Sequence, residues 1–185
     1  MVINLSWDLF IIVFFCVIVA YSLIMGRNQT VKIIVSSYIA ILAADGIGNL
    51  IQRYFIGQDA IASIMGFTNN PNAFVVLKIG IFVLTIVAIT TRGQFNIDMG
   101  ASSSYLLRAL LSLTYGVLSA GLMISTILIY ASGASLVQEG TVVMNQALQV
   151  IYKDSFLVRA MIDNYNVWFS LPAITFVFSS FVKDA

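Results

Sequence analysis

The chain has 185 residues, of which 60% are apolar and only 9% are charged, with a formal net charge of +1 and a mean hydropathy of +0.98. Ordinary soluble domains are roughly 45–50% apolar and ~25% charged, so there is too little polar surface here to coat a water-soluble fold, and lipid is the expected solvent. Scattered Lys and Arg leave no basic face for nucleic acid, and one cysteine (Cys16) without any histidine excludes intramolecular disulfides, Cys/His zinc sites, imidazole catalysis and axial-His haem.

The first apolar run, Leu9 to Met25, is preceded by Trp7 and Asp8 and followed by Gly26 and Arg27. At ~1.5 Å per residue it just crosses a ~30 Å hydrocarbon core. A cleaved signal peptide would start with basic residues; this start carries Asp8 instead, so a retained helix is expected. Cys16, mid-run and flanked by apolar side chains, reads as a small buried hydrophobe. A second run, Ile33 to Ile56, follows the polar patch Arg27, Asn28, Gln29, Thr30 and Lys32. So short a link predicts an antiparallel helical hairpin.

Residues 57–71 mix turn formers with the apolar stretch Ala60 to Phe67, which is too short to span and is expected at the interface. Phe74 to Thr91 is the third predicted span, with Lys78 inside it and Arg92 and Gly93 closing it. After the polar loop Gln94 to Ser104, Tyr105 to Ala131 is the fourth and longest, with Arg108 in its first turn. Lys78 and Arg108 lie near the ends of their spans and are expected to snorkel to the interface. Arg27 and Lys32 in the first loop, with Arg92 and Arg108 flanking the third, put both loops in the cytoplasm by the positive-inside rule. The N-terminus and everything after Ala131 then lie outside.

The last third is less apolar. Val143, Met144, Ala147, Leu148 and Ile151 form one helical stripe, and Phe156, Leu157, Ala160, Met161, Tyr165, Trp168 and Phe169 form a second, opposed by Arg159, Asp163 and Asn166. Both read as amphipathic helices lying on a membrane or against another subunit. The run Val167 to Val182, interrupted by Pro172, is slightly short for a span and is expected to be interfacial, with a poor fifth span as the alternative. The predicted fold is therefore all-α: a polytopic membrane protein with a four-helix transmembrane domain over 1–131 and a tail of amphipathic or interfacial helices over 132–185.

Two patterns in the second span carry the functional reading. Ser36, Ala40, Ala44 and Gly48 recur every fourth residue, a ladder that lets a neighbouring backbone approach closely. Ser112, Gly116 and Ala120 repeat the pattern in the fourth span, making the two helices candidate partners within one chain or between chains. Beside the first ladder run Ser37, Asp45, Asn49 and Gln52. A carboxylate near mid-bilayer costs at least ~2.5 kcal/mol, so Asp45 must be paired, protonated or wet. Its candidate partners are Lys78, Arg108 or polar groups of an adjacent copy. One reading is a proton- or cation-binding seam; the other is a helix break at Asp45, Gly46, Gly48 and Asn49 whose freed backbone groups these side chains satisfy.

Other motifs weaken on inspection. Gly46 and Gly48 lack the third glycine or Gly-Lys-Ser/Thr of a phosphate loop, and Glu139, Asp154 and Asp163 read as solvated charges rather than a catalytic pair. No enzyme activity, cofactor or metal is expected.

The order of features, with Trp7 and Asp8 before the first span, a Gly26–Arg27 turn, a small-residue second span and Ser112, Gly116 and Ala120 in the fourth, resembles the colicin V production protein (CvpA) family over about residues 5–130. That family tends to have Gly-x-x-x-Gly-x-x-x-Gly in its last span. The resemblance implies a bacterial inner-membrane protein linked to export or envelope processes and identifies no catalytic residue. The expected function is a homo-oligomeric scaffold in the envelope, related to assembly or transport and possessing lipid and other envelope proteins as partners. The alternative is a small proton- or cation-conducting channel subunit using Asp45.

Overall fold

The computed structural model describes residues 6–51, 71–93, 105–134, 136 and 146–181. They form helices α1 (Trp7–Met25), α2 (Arg27–Ile51), α3 (Pro71–Arg92), α4 (Tyr105–Ala131), α5 (Gln146–Asp154), α6 (Phe156–Asp163) and α7 (Tyr165–Phe181). The first four are long and apolar enough to cross a bilayer, at the places the hydropathy predicts. The expected interfacial stretch Ala60–Phe67, the loop Gln94–Ser104, and Gln52, Arg53, Glu139, Val143, Met144 and Lys183 lie outside the described residues.

Ser6 caps α1 by accepting from the Leu9 N–H. One residue, Gly26, separates α1 from α2, and its φ of +81° is a conformation that L side chains rarely adopt. The patch read as a loop is thus the first turns of α2, and it is not solvated. Thr30 is fully buried; its hydroxyl donates to Ser22 Oγ at 2.8 Å, and the Ser22 hydroxyl donates to the Ser112 carbonyl at 2.6 Å. This relay ties α2, α1 and α4 together beside the corner. Lys32 is also buried, its ammonium donating to the Gly93 carbonyl at 2.7 Å, where a cation complements the C-terminal end of α3.

Cross-contacts set the directions. Lys32 meets Gly93 while Asp45 meets Lys78, so α2 and α3 are antiparallel. Ser22 meets Ser112 while Ile11 packs with Ile124 and Leu128, so α1 and α4 are antiparallel too. One end of the bundle holds Gly26 with the starts of α2 and α4; the other holds Trp7 with the ends of α2 and α4. Arg27, Lys32 and Arg92 all gather at the Gly26 end. α2 and α4 are the inner helices, with 61% and 78% of their most apolar stretches buried, against 11% for α1 and for α3. Val31, Ile34, Ala44, Phe82, Tyr115, Leu122 and Tyr130 form the core between α2, α3 and α4. The outward faces of α1 and α3 are apolar, including Ile12, Val17 and Ile24 on one and Val76, Leu84 and Val87 on the other. Cys16 is exposed on α1, contrary to its expected burial, because α1 turns its other face to α4.

The tail packs on its own chain. α6 rests on α1 and α4, and α7 lies along α4. Ser155 caps α6, and the Asp8 carboxylate accepts from Ser155 Oγ at 2.6 Å and from the Leu157 N–H at 2.9 Å. The second predicted stripe needs correction, because the chain breaks at Asn164 and the cap sets a different rotation for α6. Val158, Met161 and Ile162 are buried, whereas Phe156 is 74% exposed. Leu148 of the first stripe is buried against Ile11, Ile124 and Leu128 of its own chain, not against a membrane or another subunit.

Candidate functional site: a buried ion pair between α2 and α3

Asp45 and Lys78 meet across the α2–α3 interface with Nζ 3.1 Å from Oδ1, and their side chains are 1% and 4% exposed. Lys78 therefore does not snorkel; its stem crosses the face of α2 to reach the carboxylate. Gly48 makes this possible, since a Cβ there would stand 2.7 Å from Lys78 Cε and 2.9 Å from Cγ. The last rung of the small-residue ladder is a bed for a lysine rather than for a backbone.

The ammonium also donates to Asn49 Oδ1 at 3.3 Å and lies 5.1 Å and 5.8 Å from the ring centroids of Phe74 and Tyr130. Tyr130 is held in turn by its hydroxyl, which donates to the Ile41 carbonyl at 3.2 Å, and by an edge-on contact with Phe82. The second carboxylate oxygen, Oδ2, accepts from the Leu136 N–H at 3.0 Å. Leu136 follows the turn at Ser132 and Gly133 that ends α4, so the chain leaving α4 folds over Asp45 and closes it from that side.

This contact sets Asp45 level with the exit of α4, toward the Trp7 end of the bundle and in the last third of α2 (Arg27–Ile51). The expected helix break at residues 45–49 is absent, and α2 runs through it unbroken.

Of the row Ser37, Asp45, Asn49 and Gln52, the structure brings Asp45 and Asn49 together on Lys78. Ser37 is buried but turns its hydroxyl back to the Ile33 carbonyl at 2.9 Å, and Gln52 lies outside the described residues, as does the side chain of Arg108. Ser36, Ala40, Ala44, Ser112, Gly116 and Ala120 are all buried. The two ladders do not share one seam, however: Gly48 meets Lys78 of α3, while Gly116 faces Ser22 and Val19 of α1, where a Cβ would come within 2.8 Å. Lys78, one of the candidate partners named for Asp45, is the one the structure supplies; Phe74, Tyr130 and Leu136 are the site members the sequence reading missed. The available signal was that Asp45 is the one acidic residue of α2 and Lys78 the one charged residue of α3 away from its end.

Chemically, the site is a charge-neutral, hydrogen-bonded plug whose cation is its own lysine. On the far side of Leu136 an open groove of about 420 Å³ runs between α2 and α7, lined by Tyr38, Ile41, Leu42, Tyr165, Asn166 and Phe169. At the surface of the tail, Tyr152 donates to Asp163 at 2.7 Å, and that hydrogen bond holds the phenol above its usual pKa.

No protein-family model matches the chain, and no curated protein or solved structure matches it either.

Proposed function

We propose that the protein is an integral membrane scaffold of the bacterial inner membrane, CvpA-like, non-enzymatic and related to assembly or transport in the envelope. One observation carries the choice of scaffold over channel: both Asp45 oxygens are engaged within the chain, one by Lys78 and one by the Leu136 N–H. A conducting or proton-relaying carboxylate needs a face open to water or to a second acid. Here the place a permeating cation would take is occupied by an ammonium, and the paired charges lower the cost of insertion for each other.

The apolar outward faces of α1 and α3 support the membrane reading, since unpaired surfaces of that kind are stable only against lipid or a partner. Arg27, Lys32 and Arg92 at the Gly26 end support a cytoplasmic position for that end, with Trp7 outside. Homo-oligomers, and contacts with other envelope proteins, form through α1 and α3, because the small-residue ladders are already used inside the fold.

The test is flux. Proton and cation uptake is measured in proteoliposomes holding the purified protein or its Asp45→Asn variant, with particle size recorded for both. Background flux from well-assembled particles of both forms is the expected result. Flux above background that disappears in Asp45→Asn would establish the channel and overturn the scaffold.

A further inference from the structure

The Val167–Val182 run was expected to lie at the interface, yet its described residues run along α4 past Gly121 and Tyr115. Ser155, just before α6, is bonded to Asp8 at the Trp7 end. Farther along, Ser125 donates to the Met161 carbonyl at 3.3 Å, Gly121 abuts the Trp168 ring, and Tyr115 donates to the Thr175 carbonyl at 3.4 Å. As the tail number rises from 161 through 168 to 175, its α4 partner falls from 125 through 121 to 115, which is an antiparallel course toward the Gly26 end. Phe156–Phe181 covers about 39 Å at ~1.5 Å per residue, enough for a ~30 Å core, whereas α7 alone is shorter than that.

The exposed faces agree. An interfacial helix turns its polar side to water, but α7 turns Leu171, Ile174, Val177 and Phe178 outward, at 42–69% exposure, and buries Pro172. Lys153 and Asp154 precede the segment, and Arg159 and Asp163 are exposed within its first two turns, at the Trp7 end, where long or polar side chains reach the interface. The break itself is satisfied locally: the Met161 carbonyl takes the Ser125 hydroxyl, and the Asn164 carbonyl takes the N–H groups of Val167 and Trp168. A non-helical residue is tolerated at depth when its backbone groups are bonded in this way.

We propose that residues 156–181 form a fifth membrane crossing, broken at Asn164, which brings the chain back to the face that holds Gly26. Trp7 and Phe181 then lie on opposite sides of the membrane, and Phe181 shares a compartment with Arg27, Lys32 and Arg92. This rests on the membrane reading above.

The test uses the full chain with Cys16→Ser and single cysteines at Lys153, Lys183 or Asn28, labelled with a membrane-impermeant maleimide before and after permeabilisation. Opposite accessibility of Lys153→Cys and Lys183→Cys, with Asn28→Cys behaving like Lys183→Cys, is expected. Labelling of Lys153→Cys and Lys183→Cys from the same side would overturn the fifth crossing. Release of the protein from membranes by alkaline carbonate would instead overturn the membrane reading, so the two failures are separable.

Discussion

Replacing Lys78 by Met keeps most of the apolar stem and removes the ammonium, with its bonds to Asp45 and Asn49. Asp45, 1% exposed, is left with the Leu136 N–H at 3.0 Å but without its counter-ion. At an effective dielectric of ~20 the attraction across 3.1 Å is about 5 kcal/mol, offset in the intact protein by the cost of drying both groups. Removing one partner leaves that drying cost uncompensated, and the loss is about 3–5 kcal/mol. For a chain of this length that is a fall of roughly 6–20 °C in melting temperature. Asp45→Asn in the same background replaces the stranded carboxylate by a neutral amide that still accepts from Leu136, so the double variant recovers most of the loss. Thermal unfolding in detergent of the wild type, both single variants and the double variant closes the cycle. If Lys78→Met costs under about 1 kcal/mol and adds simply to Asp45→Asn, the pair is solvated and the reasoning fails.

Gly121→Ala puts a methyl group 2.0 Å from the Trp168 ring, which is rigid and cannot fold away. It should cost about 1–3 kcal/mol through overpacking and shift Trp168 fluorescence toward the solvent-exposed range in a Trp7→Phe background; an unchanged spectrum would mean α7 does not rest on α4. Asp8→Ala removes the acceptor shared by Ser155 and the Leu157 N–H. Backbone hydrogen exchange in 155–163 should then accelerate while α2 and α3 stay protected, and equal protection in both forms would show that Asp8 does not hold the tail.

The four membrane-length helices and their short first link were legible in the sequence, because run length, charge spacing and glycine placement are local properties that a bilayer-thickness argument can use directly. The apolar stripe holding Leu148 was legible for the same reason, but that it packs on its own chain was not. Asp45 and Asn49 also stood out, since a carboxylate in an apolar run is costly wherever its neighbours lie. What periodicity cannot supply is which element occupies a given face. The start of α2 moved to Arg27 because Thr30 and Lys32 found partners in Ser22 and Gly93, residues 8 and 61 positions away, and burial then replaced hydration. Lys78 was free to snorkel or to pair by its sequence position alone. The register of α3 on α2, with Gly48 leaving room for the lysine stem, decided for pairing and so turned a candidate ion site into a sealed plug. The tail's path was likewise settled across the fold: Asp8, Ser125 and Gly121 direct it down α4, and none of them lies within 25 residues of the segment they hold.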